Sequence, residues 1–183
     1  MSAALSVGAV KYKSRVNGPG TRCVVWTQGC SLRCPGCFNP SLQPFGDAMS
    51  FSAEELADRL ATVDGDGLTI SGGEPFDQSE ALRGFIEQYK ELCGKSVIVF
   101  TGYEAAELMG SVSKRKAMML ADAVLSGRFA AGEIWENKRL LLISDRIKPE
   151  EIRPDGSMEM SVTNGEIFIS GYPACSNAEE AAI

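Results

Sequence analysis

The sequence contains no histidine among its 183 residues, and this absence removes several kinds of active site. It excludes a Ser-His-Asp triad, a Cys-His dyad, an HExxH zinc site and a histidine general base. An enzyme of this composition must therefore rely on cysteine, carboxylate, lysine or tyrosine side chains, or on a cofactor.

The chain also lacks an excess of positive charge and a long apolar run. Its 18 basic residues are outnumbered by 24 acidic ones, which argues against a protein that wraps nucleic acid. The one dense basic run, Lys114-Arg115-Lys116, is interpreted as a solvated helix face. No apolar stretch reaches the roughly 18 residues of a membrane span, and the apolar start has no basic signal-peptide region. We expect a cytoplasmic protein with neither nucleic-acid nor membrane partners.

The length and the 44% hydrophobic content predict a single domain, residues 1–183, whose core needs no disulfide bonds. Predicted strands cover 21–27, 67–71, 96–101, 123–125 and 140–143, and predicted helices cover 52–61, 82–93, 104–109 and 113–121. This alternation indicates an α/β fold with a mostly parallel sheet, in which ligands bind at the carboxyl ends of strands. Residues 158–169 alternate around Asn164-Gly165, which predicts a C-terminal β-hairpin.

Cys30, Cys34 and Cys37 form a C-x3-C-x2-C motif in the loop after the first predicted strand. Three thiolates so close in sequence can meet at one centre, and thiolates favour zinc, copper(I) or iron–sulfur clusters. A structural zinc site takes four ligands, whereas a cubane iron–sulfur cluster held by three cysteines leaves one iron open to a ligand. Gly36 lets the backbone approach such a centre closely because it has no side chain. The alternative is three free or disulfide-bonded loop cysteines.

The other three cysteines fall outside this motif. Cys23 lies in an apolar strand pattern and Cys93 on the apolar side of a predicted helix, so both are interpreted as core thiols. Cys175 lies in a polar tail. No further CxxC pair is present to begin a second cluster.

The segment Ser71-Gly72-Gly73-Glu74-Pro75 ends the second predicted strand. Its two glycines allow a ligand to approach the backbone, and Pro75 stops strand pairing. Glu74 supplies a carboxylate or backbone acceptors for a cationic group. On its own the segment is equally compatible with an ordinary tight turn.

Together, CSLRCPGC and SGGEP resemble the motifs of the radical S-adenosylmethionine (SAM) superfamily. The resemblance implies that Cys30, Cys34 and Cys37 hold a [4Fe–4S] cluster whose open iron binds the amino and carboxylate groups of SAM. Reductive cleavage of SAM in that superfamily gives a 5′-deoxyadenosyl radical that abstracts a hydrogen atom. The cofactors would then supply the chemistry that this histidine-free chain lacks.

Residues 18–40, GPGTRCVVWTQGCSLRCPGCFNP, are similar to the activating proteins of anaerobic ribonucleotide reductase. Weaker likenesses are TGY at 101–103, ADAVLSGRF at 121–129 and Asn137-Lys138-Arg139. The chain departs from that family in carrying Arg128 where proline is usual and in having a short segment at 130–136.

This resemblance implies roles for individual residues. Gly36 and Phe38 would line SAM, with Phe38 near the adenine, and Gly72, Gly73 and Glu74 would meet its methionine end. Thr101 and Gly102 would contact the ribose or the methionine, and Asn137 and Arg139 are weaker candidates at the open end of the sheet. The implied fold is a partial (β/α) barrel of the radical SAM type, with its core at about 18–145 and a hairpin extension at about 157–170.

The implied function is that of an enzyme that installs a glycyl radical on a large partner enzyme, with reduced flavodoxin or ferredoxin as the electron donor. Two alternatives stay open. One is a small radical SAM enzyme that modifies a peptide or a nucleoside-like molecule. The other is an iron–sulfur electron carrier or redox sensor, although a carrier needs neither an open iron nor the SGGEP segment.

Overall fold

The computed structural model describes residues 3–46, 48–130, 137–152, 157–163 and 166–171, and these build an α/β fold around a seven-stranded sheet. The strands are β1 (Leu5–Ser14), β2 (Arg22–Thr27), β3 (Met49–Phe51), β4 (Gly67–Gly72), β5 (Ser96–Phe100), β6 (Ala123–Ser126) and β7 (Arg139–Leu142). Their order across the sheet is β3-β1-β2-β4-β5-β6-β7. The α/β class predicted from the sequence is thereby confirmed.

The sheet is parallel at its centre and antiparallel at both edges. β2, β4, β5 and β6 run parallel, whereas β1, β3 and β7 are antiparallel to their neighbours. The expectation of a mostly parallel sheet therefore holds only for the central strands. β1 and β3 were not predicted, because β1 alternates only partly between buried and exposed residues and β3 has three residues. The closure of the sheet into a partial barrel stays a prediction.

Four helices begin and end close to their predicted positions. They are α1 (Ala53–Ala61), α2 (Ser79–Cys93), α3 (Ala105–Gly110) and α4 (Val112–Met118). The hydroxyl of Ser52 accepts a hydrogen bond from the Glu55 amide at 3.1 Å and so caps α1. Gly94 ends α2 in the left-handed conformation, at a φ of 64°, which glycine adopts without strain.

The helices bury one face of the sheet. Val25, Ile70 and Val99 from three central strands pack in one cluster with Leu82 and Phe85 of α2. The opposite face carries two smaller apolar clusters, one around Ile98, Phe100 and Leu125 and the other around Val24, Trp26 and Leu42. Burial on both faces explains the nearly continuous apolar sequences of these strands.

Two buried charged side chains, Arg22 and Asp122, hold the central strands together at the end of the sheet where the parallel strands begin. The Arg22 guanidinium donates to the Thr69 hydroxyl at 2.9 Å and to the Ser96 carbonyl at 2.9 Å. Burial lowers the pKa of Arg22 to about 10, so it stays charged at neutral pH. The Asp122 carboxylate, just before β6, pairs with Lys90 at 3.1 Å.

The predicted C-terminal hairpin is present as a separate two-stranded sheet. Its strands are β8 (Met158–Thr163) and β9 (Glu166–Gly171), and they pair antiparallel. The turn at Asn164-Gly165 lies outside the described residues. Glu159 joins the hairpin to the main sheet through an ion pair with Lys11 at 2.7 Å. Across the described ranges, no helix is long and apolar enough to cross a membrane.

Candidate functional site

A cleft opens where the parallel strands β2, β4, β5 and β6 end, and we call it the strand-end cleft. It has a volume of about 810 Å³ when its solvent-filled mouth is included. Apart from Gly36 and the weaker candidates Asn137 and Arg139, the predicted site residues line it: Cys30, Cys34, Cys37, Phe38, Gly72, Gly73, Glu74, Thr101 and Gly102. The structure therefore brings the cysteine motif and the SGGEP segment to one place, as expected for parallel strands that end at a common edge.

The cysteine loop leaves β2 and is held at its start by backbone hydrogen bonds. The amide of Gly29 donates to the Leu42 carbonyl at 2.9 Å, and the amide of Cys30 donates to the Gln43 carbonyl at 3.0 Å. Cys30 is buried, whereas Cys34 and Cys37 are half-buried, and all three thiols are free. In the described residues, no three side chains meet closely enough to hold a single metal ion. A cubane binds each thiolate at a different iron, so its ligands need not meet at one point.

Gly36 and Phe38 were both predicted to line SAM, but in the structure only Phe38 of these two lines the strand-end cleft. Gly36 has a φ of 67° and reverses the chain between Cys34 and Cys37, but it is exposed and does not line the strand-end cleft. Arg33 also adopts a left-handed φ, of 48°, so the loop turns twice within a few residues. Phe38 lines the cleft and leaves 43% of its surface exposed. An aromatic ring in that position is suited to stacking on a planar ligand group.

The two glycines of SGGEP let the turn after β4 pack directly on the backbone of the cysteine loop. The amide of Gly73 donates to the Thr27 carbonyl and the amide of Glu74 to the Gly29 carbonyl, each at 2.8 Å. A Cβ on Gly72 would lie 2.5 Å from the Thr27 carbonyl oxygen, and Gly72 has a φ of 111°. The glycines are thus required by close backbone packing, which the sequence alone did not indicate.

Glu74 is fully buried, and its carboxylate ties the SGGEP turn to the end of β5. One carboxylate oxygen accepts from the Phe76 amide at 2.9 Å and the Thr101 hydroxyl at 2.7 Å. The other accepts from the Gly102 amide at 2.8 Å. Burial raises the pKa of Glu74 to about 7, against the opposing effect of these three donors. The carboxylate therefore holds two neighbouring strand ends in register.

The raised pKa of Glu74 predicts a measurable dependence of stability on pH. A carboxyl whose pKa is higher in the folded than in the unfolded state stabilises the fold below the unfolded pKa of 4.5, and this contribution is lost as the pH rises through about 7. We expect the free energy of unfolding of the wild type, relative to Glu74→Gln, to fall by about 3 kcal/mol across this range. Urea unfolding at about pH 5 and pH 8 measures the difference. Equal pH dependence in the two proteins would show that Glu74 does not titrate in this window.

Lys138, which was not among the predicted site residues, enters the strand-end cleft. Its ammonium donates to the Thr101 carbonyl at 3.0 Å and the Gly127 carbonyl at 2.5 Å, at the ends of β5 and β6. Burial lowers the pKa of Lys138. The weaker candidates Asn137 and Arg139, on either side of it, are exposed and do not line the cleft. Successive side chains of an extended chain point to opposite sides. Where Asn137 and Arg139 point to one side, Lys138 between them points to the other, and this alternation could have identified it.

The remaining cysteines lie outside the strand-end cleft. Cys23 is buried in the main core cluster, as predicted, and its thiol contacts the Tyr12 carbonyl at 3.1 Å. Cys93, at the end of α2, is half-buried against the Tyr89 carbonyl. Cys175 lies outside the described residues.

Comparison with known proteins finds relatives over most of the chain. The family of 4Fe-4S single cluster domains matches residues 16–145. The anaerobic ribonucleoside-triphosphate reductase-activating protein of Pasteurella multocida (strain Pm70) is 34% identical over 122 residues, covering 62% of this chain and 77% of that protein. The protein of the same name from Escherichia coli (strain K12) is 32% identical over 125 residues, covering 62% and 78%.

A solved structure shares the fold. The crystal structure of QueE from Escherichia coli covers 79% of this chain and 68% of its own, with a TM-score of 0.50 and 12% identity, and this likeness concerns the fold alone. The family match indicates a single [4Fe–4S] cluster as a cofactor. The chain therefore belongs to the 4Fe-4S single cluster domain family and to the family of anaerobic ribonucleoside-triphosphate reductase-activating proteins.

Proposed function

We propose that this protein activates anaerobic ribonucleotide reductase by installing a glycyl radical on it. The observation that carries the proposal is the strand-end cleft, which combines three free thiols, a glycine turn, aromatic side chains and one lysine. When bound, the cluster supplies the electron and SAM the reactive group for hydrogen-atom abstraction. The chain itself holds, orients and shields these groups.

The thiols of Cys30, Cys34 and Cys37 are proposed to bind three irons of the cluster. The chemistry of the donors fits, because thiolates are the ligands that iron–sulfur clusters prefer and all three face one cleft. Cys30 anchors the inner side of the loop, since it is buried and its amide is bonded to Gln43. Gly36 is assigned a role in shaping the loop rather than in contacting SAM.

The rest of the strand-end cleft is proposed to bind SAM. Phe38 offers an aromatic surface to the adenine, and the Gly72-Gly73-Glu74 turn meets the methionine end. Thr101 and Gly102 border the same space at the end of β5.

Lys138 is proposed to face the carboxylate of SAM. Its ammonium has three donors, of which two are bound to strand-end carbonyls. No carboxylate of the described residues lies within ion-pair distance of it. Its charge is thus available to an anionic group in the cleft.

The proposed substrate is a protein segment of a large glycyl-radical enzyme. The strand-end cleft is open at its mouth, and an open site admits a loop of another protein. Residues 1–183 are proposed to form one radical SAM domain whose sheet curves into a partial barrel. The electron donor is proposed to be reduced flavodoxin or ferredoxin.

The first test is the cleavage of SAM. Protein reconstituted with iron and sulfide under anaerobic conditions, then given dithionite and SAM, is expected to release 5′-deoxyadenosine. An intact cluster without this product would contradict the proposal and favour an electron carrier. Because a small-molecule radical SAM enzyme would also give the product, the partner's radical must be measured separately.

A further inference from the structure

Asp77 lies where three segments of the strand-end cleft meet. It belongs to the 3-10 turn Pro75–Gln78 that follows SGGEP. One of its carboxylate oxygens accepts from the Ser31 amide at 2.7 Å. The other accepts from the Ser31 hydroxyl at 3.0 Å and the Tyr103 hydroxyl at 2.6 Å. One side chain thus joins the cysteine loop, the turn after β4 and the segment after β5.

Each partner of Asp77 is fixed next to a group of the proposed cofactor site. Ser31 directly follows Cys30, so the bond to its amide sets the path of the loop at the first cysteine. Tyr103 follows Gly102, and its amide donates to the Thr101 hydroxyl at 3.0 Å. Charged acceptors form the stronger hydrogen bonds, so a carboxylate is well suited to hold these segments together.

The negative charge of Asp77 also acts on Cys30. Its carboxylate is bonded to the amide of Ser31, the residue that directly follows Cys30, so its charge lies next to the first proposed cluster ligand. In the ranges that the structure describes, no cation forms an ion pair with Asp77. The nearby cations lie against the Tyr103 ring instead, with the Lys114 ammonium 3.2 Å and the Arg128 guanidinium 5.5 Å from its centre.

We propose that Asp77 is a positioning residue that fixes the cysteine loop at Cys30 and, through its charge, lowers the reduction potential of the cluster. The inference rests on the proposed function, because it requires the cluster on Cys30, Cys34 and Cys37. A fixed negative charge beside a cluster disfavours the added electron, and net charge and hydrogen bonding are among the factors that set cluster potentials. A low potential makes the reduced cluster a stronger reductant toward SAM.

Two substitutions separate the charge from the hydrogen bonds. Asp77→Asn keeps an oxygen for the Ser31 amide and places an NH2 group where the hydroxyls of Ser31 and Tyr103 can accept, so it removes only the charge. Asp77→Ala removes the charge and also all hydrogen bonds from this side chain to Ser31 and Tyr103. Ser31→Ala is the matched control, because it deletes the contacts of the Ser31 hydroxyl with Asp77 and Tyr103 and leaves both the carboxylate and the amide bond in place.

The test is an anaerobic potentiometric titration of the reconstituted proteins. The EPR signal of the reduced cluster, measured at each potential, gives the midpoint potential. We expect a more positive midpoint potential for both Asp77 variants and an unchanged one for Ser31→Ala. Iron release to a chelator should be unchanged in Asp77→Asn and at least about tenfold faster in Asp77→Ala. The reason is that only Asp77→Ala loses the hydrogen bonds that hold the loop at Ser31. Wild-type potentials in both Asp77 variants would overturn the inference, even if either variant were less stable. A wild-type protein without a [4Fe–4S] cluster would overturn the proposed function itself, and this inference with it.

Discussion

Replacing Cys34 with alanine is expected to prevent assembly of the [4Fe–4S] cluster and to lower 5′-deoxyadenosine formation by at least about 1000-fold. Cys34 is the central residue of the motif and its thiol lines the strand-end cleft. In the described part of the chain, the cysteines that line the cleft are Cys30, Cys34 and Cys37, so no spare thiolate is at hand to replace it. Iron and sulfide content, together with product yield, measure the effect.

Cys93→Ala provides the matched control for this experiment. It removes a cysteine thiol from the end of α2, outside the cleft. That thiol donates a hydrogen bond to the Tyr89 carbonyl at 3.2 Å. We expect the control to keep its iron, its sulfide and its SAM cleavage. A Cys34→Ala protein with a full complement of iron and wild-type product yield would show that the motif does not bind the catalytic cluster.

Gly73→Ala is expected to destabilise the protein by about 3 kcal/mol and to reduce SAM cleavage by about 100-fold. A Cβ at this position would overlap the Gly29 carbonyl oxygen and lie 2.6 Å from that of Leu42. Both are backbone atoms, so the strain cannot be relieved by a side-chain rotation. Gly29 precedes Cys30, and a shift there displaces the first proposed cluster ligand.

Gly110→Ala serves as the control for Gly73→Ala. Gly110 is the last residue of α3, and a Cβ there would meet nothing within 4 Å. Alanine is expected to leave SAM cleavage unchanged and to stabilise the helix by up to about 1 kcal/mol. Urea unfolding and product yield are measured for both variants. If Gly73→Ala behaves like Gly110→Ala, the close packing between the turn and the cysteine loop is not needed for function.

The sequence predicts well those features that are set by short stretches of chain. The apolar strand before the cysteine motif, the cap at Ser52 and the end of α2 at Gly94 depend on local propensity, and the structure confirms each of them. The meeting of the cysteine motif with SGGEP also follows from the sequence, because both come after strands that were predicted to be parallel.

Features set by contacts between distant segments were not predictable in this way. The antiparallel edge strand β1 depends on pairing with β2 and β3, and its own pattern is only partly alternating. Glu74 was expected to offer either its carboxylate or backbone acceptors to a cationic group, and the structure bonds the carboxylate to Thr101 and Gly102. Asp77 and Lys138 gain their significance only from neighbours that are far away in sequence.

The most direct test of the proposed function is an EPR measurement on the partner enzyme. Wild-type protein, SAM, a reductant and anaerobic ribonucleotide reductase from the same organism are combined without oxygen, and Cys34→Ala replaces the wild type in the control. The proposal predicts a stable glycyl radical on the reductase with the wild type and none with Cys34→Ala. Formation of 5′-deoxyadenosine without any radical on the reductase would contradict it.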